Sequence, residues 1–504
     1  MRDPDDESLA KSLDVIFKFV NDFILFIIIS LIKKLKLLYI YIIIMTAGGL
    51  IQLVTASGEQ DIYLTGNPQI TLFKSVYRRH TNFSIETIQE VFTGGVGFGR
   101  QARCILPKIG DLLSKITLHV KVGSLNPEYN YRLERSKHIP HQSYDRSVID
   151  GLTKNKCACT ECLRNQYKKK LIYGWVNALG HALIDSTWIE IGGVRIDKHY
   201  GEWMEIWSEL TQTEEKINGY YQMIGKIDPK SFKFNSFTGE MELLIPLNFW
   251  FCRNIGLALP IMALYYHPVE LVVDFRRFEE CWISNKKNPK IPKPPMFEAN
   301  LWLDYIYLDV DERKQFYEES QVYLIEQLQY TNNCPITASN VSVELCFNHP
   351  IKELFWVLQR NDVVQKPNGL YPNSNYPIGN DWFNFSTFPC QNHDIEVETF
   401  ENAVIQFNAI DRFKRIEAKY FRLLQPYYYH TRIPRNYIYV YNFGIRPESI
   451  QPTGQMNFSR VDNAKLHITL PNGRDYSKYN LRCYAMNYNI FVVTAGMGGV
   501  LFTN

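Results

Sequence analysis

Short stretches in which every second residue is apolar recur through most of this chain, and that period confines the chain to sheet. The clearest is 116–122, where Ile116, Leu118, Val120 and Val122 alternate with Thr117, His119 and Lys121. Successive side chains of a strand point to opposite faces, so this run reads as a half-buried strand with His119 on its solvated side. Residues 83–92 alternate more loosely, and 465–470 regularly, with His467 outward. Residues 188–195 alternate too, and further strands are expected at 269–275, 301–310, 339–347, 394–400, 437–443 and 488–494. Residues 243–251 and 255–266 are apolar runs broken by Pro260. Turn formers such as Thr65-Gly66-Asn67-Pro68 punctuate the series. Trp203, Ile206, Trp207 and Leu210 are instead spaced by three and four, which predicts a helix inserted between strands. The fold class that follows is all-β, with a short inserted helix and long loops.

The punctuation also divides the chain. Residues 276–299 are charged and then carry Pro289, Pro292, Pro294 and Pro295, which predicts a linker between two all-β domains, 45–275 and 300–504. Residues 123–170 are polar, basic and without period, the mark of a loop insertion. Ahead of Met45 the character differs. Apolar runs at 23–32 and 37–45 are separated by Lys33, Lys34 and Lys36, and each is shorter than the roughly 18 residues that span a bilayer. Residues 1–44 are therefore read as an apolar extension that is not in the mature protein. N-terminal sequencing is expected to find a chain that begins near Thr46.

Composition bears on function mainly by exclusion. Lys plus Arg number 55 against 52 Asp plus Glu, so net charge gives no argument for nucleic-acid binding. Arg78, Arg79, His80 and Lys168–Lys170 read as solvated surface. Ten irregularly spaced Cys do not make a disulfide framework, and Cys252, Cys346 and Cys483 are expected to be buried thiols of a protein assembled in a reducing compartment. Gly94, Gly95, Gly97 and Gly99 lack the Lys-Ser/Thr pair of a phosphate loop. One metal-like constellation stands out: Cys157, Cys159 and Cys162 can bind a structural zinc if His138 or His141 supplies a fourth ligand. Otherwise they are surface thiols, and in either case no other cofactor is expected. Asp197, Lys198, His199 and Glu202 form the one polar group that resembles a catalytic cluster, and an exposed turn with local salt links explains it as well. Asn-x-Ser sequons stand at Asn82, Asn340, Asn384 and Asn457.

Ordered blocks then carry a family resemblance. Gly48-Gly-Leu-Ile-Gln-Leu-Val54, Asp61-Ile-Tyr-Leu-Thr-Gly-Asn-Pro-Gln-Ile70 and Phe73-Lys-Ser-Val-Tyr-Arg-Arg-His-Thr-Asn-Phe83 open the series. Ile189-Glu-Ile-Gly-Gly193, Ile196-Asp-Lys-His-Tyr-Gly-Glu-Trp203 and Leu244-Ile-Pro-Leu-Asn-Phe-Trp-Phe-Cys-Arg-Asn254 follow. Phe443-Gly-Ile-Arg-Pro-Glu448, Gln451-Pro-Thr-Gly454, Asn457-Phe-Ser-Arg-Val-Asp-Asn463, Tyr484-Ala-Met-Asn-Tyr-Asn489 and Gly496-Met-Gly-Gly-Val-Leu-Phe502 complete it. In this order they resemble the major capsid proteins of nucleocytoplasmic large DNA viruses of the mimivirus-like or phycodnavirus-like kind.

The resemblance implies two eight-stranded antiparallel jelly rolls side by side, with 123–170 and 361–393 as the candidate outward insertions. It implies a homotrimer of pseudo-hexagonal outline that tiles an icosahedral virion, assembled in the host cytoplasm. The implied partners are further trimers, minor capsid proteins and a nearby inner membrane, with no specific nucleic acid and no catalysis. Two other readings compete: a minor capsid or scaffold protein of the same virus class, and a carbohydrate-binding or carbohydrate-active jelly roll. The last would need two carboxylates about 5 Å apart in an open cleft if it were a retaining glycosidase.

Overall fold

The computed structural model describes residues 24–25, 27–36, 51, 60, 62–125, 173–228, 239–331, 333–371, 377–387, 397–471 and 479–503. The chain forms two units, Met1–His80 and Thr81–Asn504. In the first, residues 27–36 are helical with exposed Ile27, Leu31, Ile32 and Leu35, and a short helix covers Ile62–Thr65. No described helix is long and apolar enough to cross a membrane.

In the second unit the alternating runs become two sets of eight principal strands. The first set is Phe83–Val91 (β1), Gln101–Ile105 (β2), Leu112–Val122 (β3), Ile184–Ile191 (β4), Val194–Tyr200 (β5), Met241–Leu247 (β6), Val269–Phe275 (β7) and Phe297–Leu308 (β8). They pair antiparallel as β1-β8-β3-β6 and β2-β7-β4-β5. The second set is Gln321–Tyr330 (β9), Asn340–Glu344 (β10), Pro350–Arg360 (β11), Asn402–Phe407 (β12), Ile410–Asp411 (β13), Tyr439–Asn442 (β14), Ala464–Thr469 (β15) and Tyr479–Thr494 (β16). Its sheets are β9-β16-β11-β14 and β10-β15-β12-β13, the same order repeated. Two four-stranded sheets in the order 1-8-3-6 and 2-7-4-5 make a jelly roll, so the chain holds two. Shorter strands extend the sheets, such as Met497–Val500 on β16.

Local chemistry explains several strand limits. The run read as one stretch at 188–195 is a hairpin, because Gly192 and Gly193 both adopt positive φ, 60° and 80°, and reverse the chain between β4 and β5. The apolar run at 243–251 leaves the sheet at Leu247 and enters a helical turn, Trp250–Arg253. Residues 255–266 form a loop with one short 3-10 turn, Ile255–Leu257, rather than a strand. Of the strand expected at 394–400, residues 394–396 lie outside the described residues and 397–400 are not strand, while Asn402–Phe407 is.

The expected domain boundary also moves. Residues 276–299 do not separate the rolls, because β8 follows the prolines and pairs with β1 on one side and β3 on the other. The prolines punctuate a loop inside the first roll, and without β8 its first sheet would lose its second strand. The chain crosses to the second roll through the helix Val310–Glu318, whose N-cap Asp309 accepts from the Val310 amide at 2.7 Å.

His119 departs from the sequence reading as well. His119 itself is covered, since Trp302 lies with its ring centroid 5.0 Å away and Glu242 receives its Nε2 at 2.7 Å, although Lys115 and Lys121 on the same face are exposed. Alternation identified the strand correctly but not the local cover over His119. Cys346 is exposed, between inward Leu345 and Phe347, whereas Cys483 is buried and Cys252 partly so. His467 is half-buried beside Gln406.

Candidate functional site

The densest polar chemistry in the described residues lies where the two rolls meet, and it is organised by one helix. Gly201–Thr211 (α1) follows β5 in the first roll. Its Trp203, Ile206, Trp207 and Leu210 are buried in the apolar core of the second roll. Trp203 meets Phe355 edge-on at 4.9 Å and lies 5.7 Å from Tyr484, while the Arg253 guanidinium sits 4.3 Å over the Trp207 ring. Met204, on another face, belongs to the core of the first roll. The helix therefore fills both cores at once.

The acids of α1 form a buried ionic chain. Glu202 receives Arg276 of the first roll at 3.2 Å and Arg482 of β16 at 3.0 Å. Burial alone would raise the Glu202 carboxyl, but the two guanidinium groups outweigh it and hold it at about 2. Glu205 is bound by Lys226 and by His181 at 2.8 Å, and these partners overcome burial to lower its carboxyl. Glu209 accepts from Lys226 at 2.6 Å and from Arg432 of the second roll at 2.7 Å. It also accepts from the Arg435 amide, and its carboxyl is held at about 2 against the upward pull of burial. Lys226, at the end of the next helix, Glu214–Ile224 (α2), is held charged by Glu205 and Glu209 although burial opposes it. A buried charge with one partner removed is costly, so each link depends on the next.

Strand-to-strand contacts continue the seam. The Leu328 amide of β9 donates to Asp197 of β5 at 3.1 Å, and Gln327 donates to the Ile196 carbonyl. Glu326 of β9 accepts from Arg253 and from Lys352 of β11, each at 2.6 Å. The insertion between β11 and β12 takes part too. Trp382 lies under the Arg276 guanidinium at 3.8 Å and donates to the Glu280 carbonyl, and Trp382 and Phe383 join the core of the first roll. Residues 377–387 of this segment are thus packed inward, while Gln365, Lys366 and Asn368 are exposed.

The seam contains the sequence's catalytic candidates. Asp197 and His199 are 3 % and 1 % exposed and contact each other at 3.0 Å, with the His199 ring stacked on Phe249 at 4.7 Å. Lys198 lies over the Trp188 and Tyr200 rings, and burial lowers its ammonium. These groups are neither a reactive cluster open to substrate nor an exposed turn. The acids Glu205 and Glu209, which complete the network, drew no notice in the sequence. Glu205 three residues after Glu202, and Glu209 four after Glu205, alongside the aromatic stripe, were the available signal.

A cleft of about 360 Å³ at the seam includes Trp207, Arg253, Glu326, Glu448 and Tyr488 in its lining. Its two carboxylates are engaged, Glu326 by Arg253 and Lys352, Glu448 by His430 at 3.0 Å and by Thr431. Such neutralised acids suit bracing rather than proton transfer. Cys157, Cys159 and Cys162 and the candidate ligands His138 and His141 lie outside the described residues, as do Lys168–Lys170. Among the described residues no group of three His, Cys, Asp or Glu is arranged to hold a metal. Arg78, Arg79 and His80 are exposed.

Comparison with known proteins follows the same division of the chain. Residues 71–142 and 147–309 match the family model for the major capsid protein N-terminus, and 312–499 match that for large eukaryotic DNA virus major capsid protein. The chain is 34% identical to the major capsid protein of Phaeocystis pouchetii virus, over 91% of this chain and all of that one. It is 36% identical to that of Pyramimonas orientalis virus, with the same coverage. Among solved structures, the quasi-atomic model of the PBCV-1 virus capsid superposes with a TM-score of 0.65 and 27% identity, over 86% of this chain and all of that one. The Faustovirus major capsid protein shares the fold at a TM-score of 0.61 and 13% identity, over 87% of this chain and 94% of that one.

Proposed function

The chain belongs to the family of large eukaryotic DNA virus major capsid proteins, and from that premise we propose that three copies associate as a capsomer of pseudo-hexagonal outline. It is a structural protein of the virion shell, not an enzyme. The observation that carries the capsomer reading is the repetition of one strand order in two rolls joined side by side. Three such subunits offer six rolls of one plan, and a near-sixfold outline packs neighbours on a surface with little waste.

In this reading the seam is the brace of the building block. A shell subunit transmits load between neighbours, and rolls that slide on each other would blur the outline that the lattice has to match. The first roll then spans 81–308 and the second 321–503; most of the candidate insertion 123–170 and parts of 361–393 lie outside the described residues. Minor capsid proteins and an inner membrane are the further partners, and assembly takes place in the host cytoplasm.

The purified chain tests the reading directly. Light scattering should return three times the chain mass of 59.1 kDa, and the association should survive dilution to micromolar concentration. A stable monomer under assembly conditions would remove the capsomer from the account.

A further inference from the structure

Two donors in the seam cleft have no partner among the described residues. The Tyr488 hydroxyl is buried, in a residue only 6% exposed, and makes no hydrogen bond. Arg253 donates through Nε to the Asn248 carbonyl at 3.0 Å and through Nη1 to Glu326 at 2.6 Å, and its buried Nη2 is left over. Both residues line the same cleft. A buried polar group without a partner costs about 1–3 kcal/mol, so two in one cleft mark a place built to receive something.

Both rolls build the walls. Trp207 of α1, Trp250 and Leu257 come from the first, and Leu324 of β9, Ile450 and Tyr488 of β16 from the second. Leu324 and Ile450 are 38% and 41% exposed, so part of the apolar wall is wet. Water satisfies the donors but leaves that wall wetted. A molecule with an acceptor at one end and an apolar body satisfies both. The charge of the acceptor follows from its surroundings. Arg253 and Lys352 converge on one carboxylate, Glu326, each at 2.6 Å. Glu353, 3.6 Å from Lys352, adds little negative charge, because burial pushes its carboxyl up. Glu448, the other acid of the cleft, is engaged by His430 and Thr431. The Arg253 side of the cleft is left with more cation than anion.

We propose that this cleft binds a small carboxylate with an apolar body. Its head accepts from Arg253 Nη2 and from the Tyr488 hydroxyl, and its body lies along Trp207, Leu257, Leu324 and Ile450. Hydrogen bonds between a guanidinium and a carboxylate are about twice as strong as neutral ones, which selects the acid over its amide or alcohol. A cleft of about 360 Å³ is at the small end of ligand pockets and suits a body of about eight carbons. Because the walls come from both rolls, the bound molecule ties one roll to the other. It stabilises the folded subunit by mass action, in proportion to the logarithm of its concentration above the dissociation constant. The site lies within one copy and stands independently of the capsomer reading.

Titration calorimetry of the full chain with octanoate tests it. Octanoate should bind saturably, one molecule per chain, and raise the melting temperature. Octanamide, with the same body and a neutral head, should bind about tenfold more weakly. Tyr488→Phe removes only a hydroxyl that has no partner, so without octanoate this variant should melt no lower than the parent. It should nonetheless bind octanoate about tenfold more weakly, since one head-group hydrogen bond is gone. Ile450→Trp, at an exposed position, should fill the cleft and abolish binding. A parent chain that shows no saturable binding would overturn the proposal, as would undiminished binding by Tyr488→Phe. Octanamide that binds as tightly as octanoate would overturn the carboxylate. Should Ile450→Trp fail to fold, Tyr488→Phe and octanamide decide the matter. A monomeric parent that binds octanoate as described would remove the capsomer reading and leave this site standing.

Discussion

Glu202 holds two guanidinium groups at once, one from each roll, and Glu209 does the same work with Lys226 and Arg432. Replacing Glu202 by Gln leaves Arg276 and Arg482 buried around a neutral amide, which should cost about 3–5 kcal/mol in a denaturant midpoint series. The pH dependence has a definite sign. Both carboxyls are held at about 2 in the folded chain, below the ordinary 4.5. Their contribution is complete above about 4.5 and is lost as pH falls towards 2. Stability should therefore fall through that window, and the Glu202→Gln variant should fall less steeply. The sequons separate at the same scale. Asn384 is fully buried and donates to Asp381 at 2.9 Å, so peptide mapping after secretory expression should find it unmodified while exposed Asn82 and Asn340 remain open to modification. Little of this network was legible in the sequence. Glu202 was visible as an acid near His199, but Arg276, Arg432 and Arg482 come from distant segments that only the folded seam brings in.

At the scale of elements, α1 was readable as a helix because its aromatic residues recur at three and four. What they pack against was not, since period reports a buried face without naming the neighbour. Trp203→Ala should test the neighbour. Removing the indole from the core of the second roll should cost about 3–5 kcal/mol. It should also split a single calorimetric transition into two, as the rolls lose their shared helix. Strands with one wet face, such as β3 and β15, were legible from alternation. The strand β11 was not, because it is buried along nearly its whole length, with Lys352 and Glu353 drawn inside by Glu326 and His430. Two buried charges in a strand erase the period that would reveal it. The proline-rich loop misled for a related reason: proline marks a break in hydrogen bonding, and breaks occur inside a roll as well as between rolls.

At the scale of the whole molecule, two all-β halves of similar size were legible from the distribution of short strands, and the family from ordered motifs along the chain. The position of the crossing was not, because β8 reads alone like the opening of a new domain and only its pairing with β1 and β3 returns it to the first roll. The two rolls share a plan without sharing a readable sequence repeat, since many apolar combinations fill a core of given shape and only the order of pairing has to be kept. The account makes this chain the principal wall of a virion, and abundance is where that claim is most exposed. Quantitative mass spectrometry of purified particles should find it as the most abundant polypeptide, in thousands of copies and a multiple of three. A chain present in a few tens of copies, or absent from the shell, would contradict it and leave a minor structural role instead.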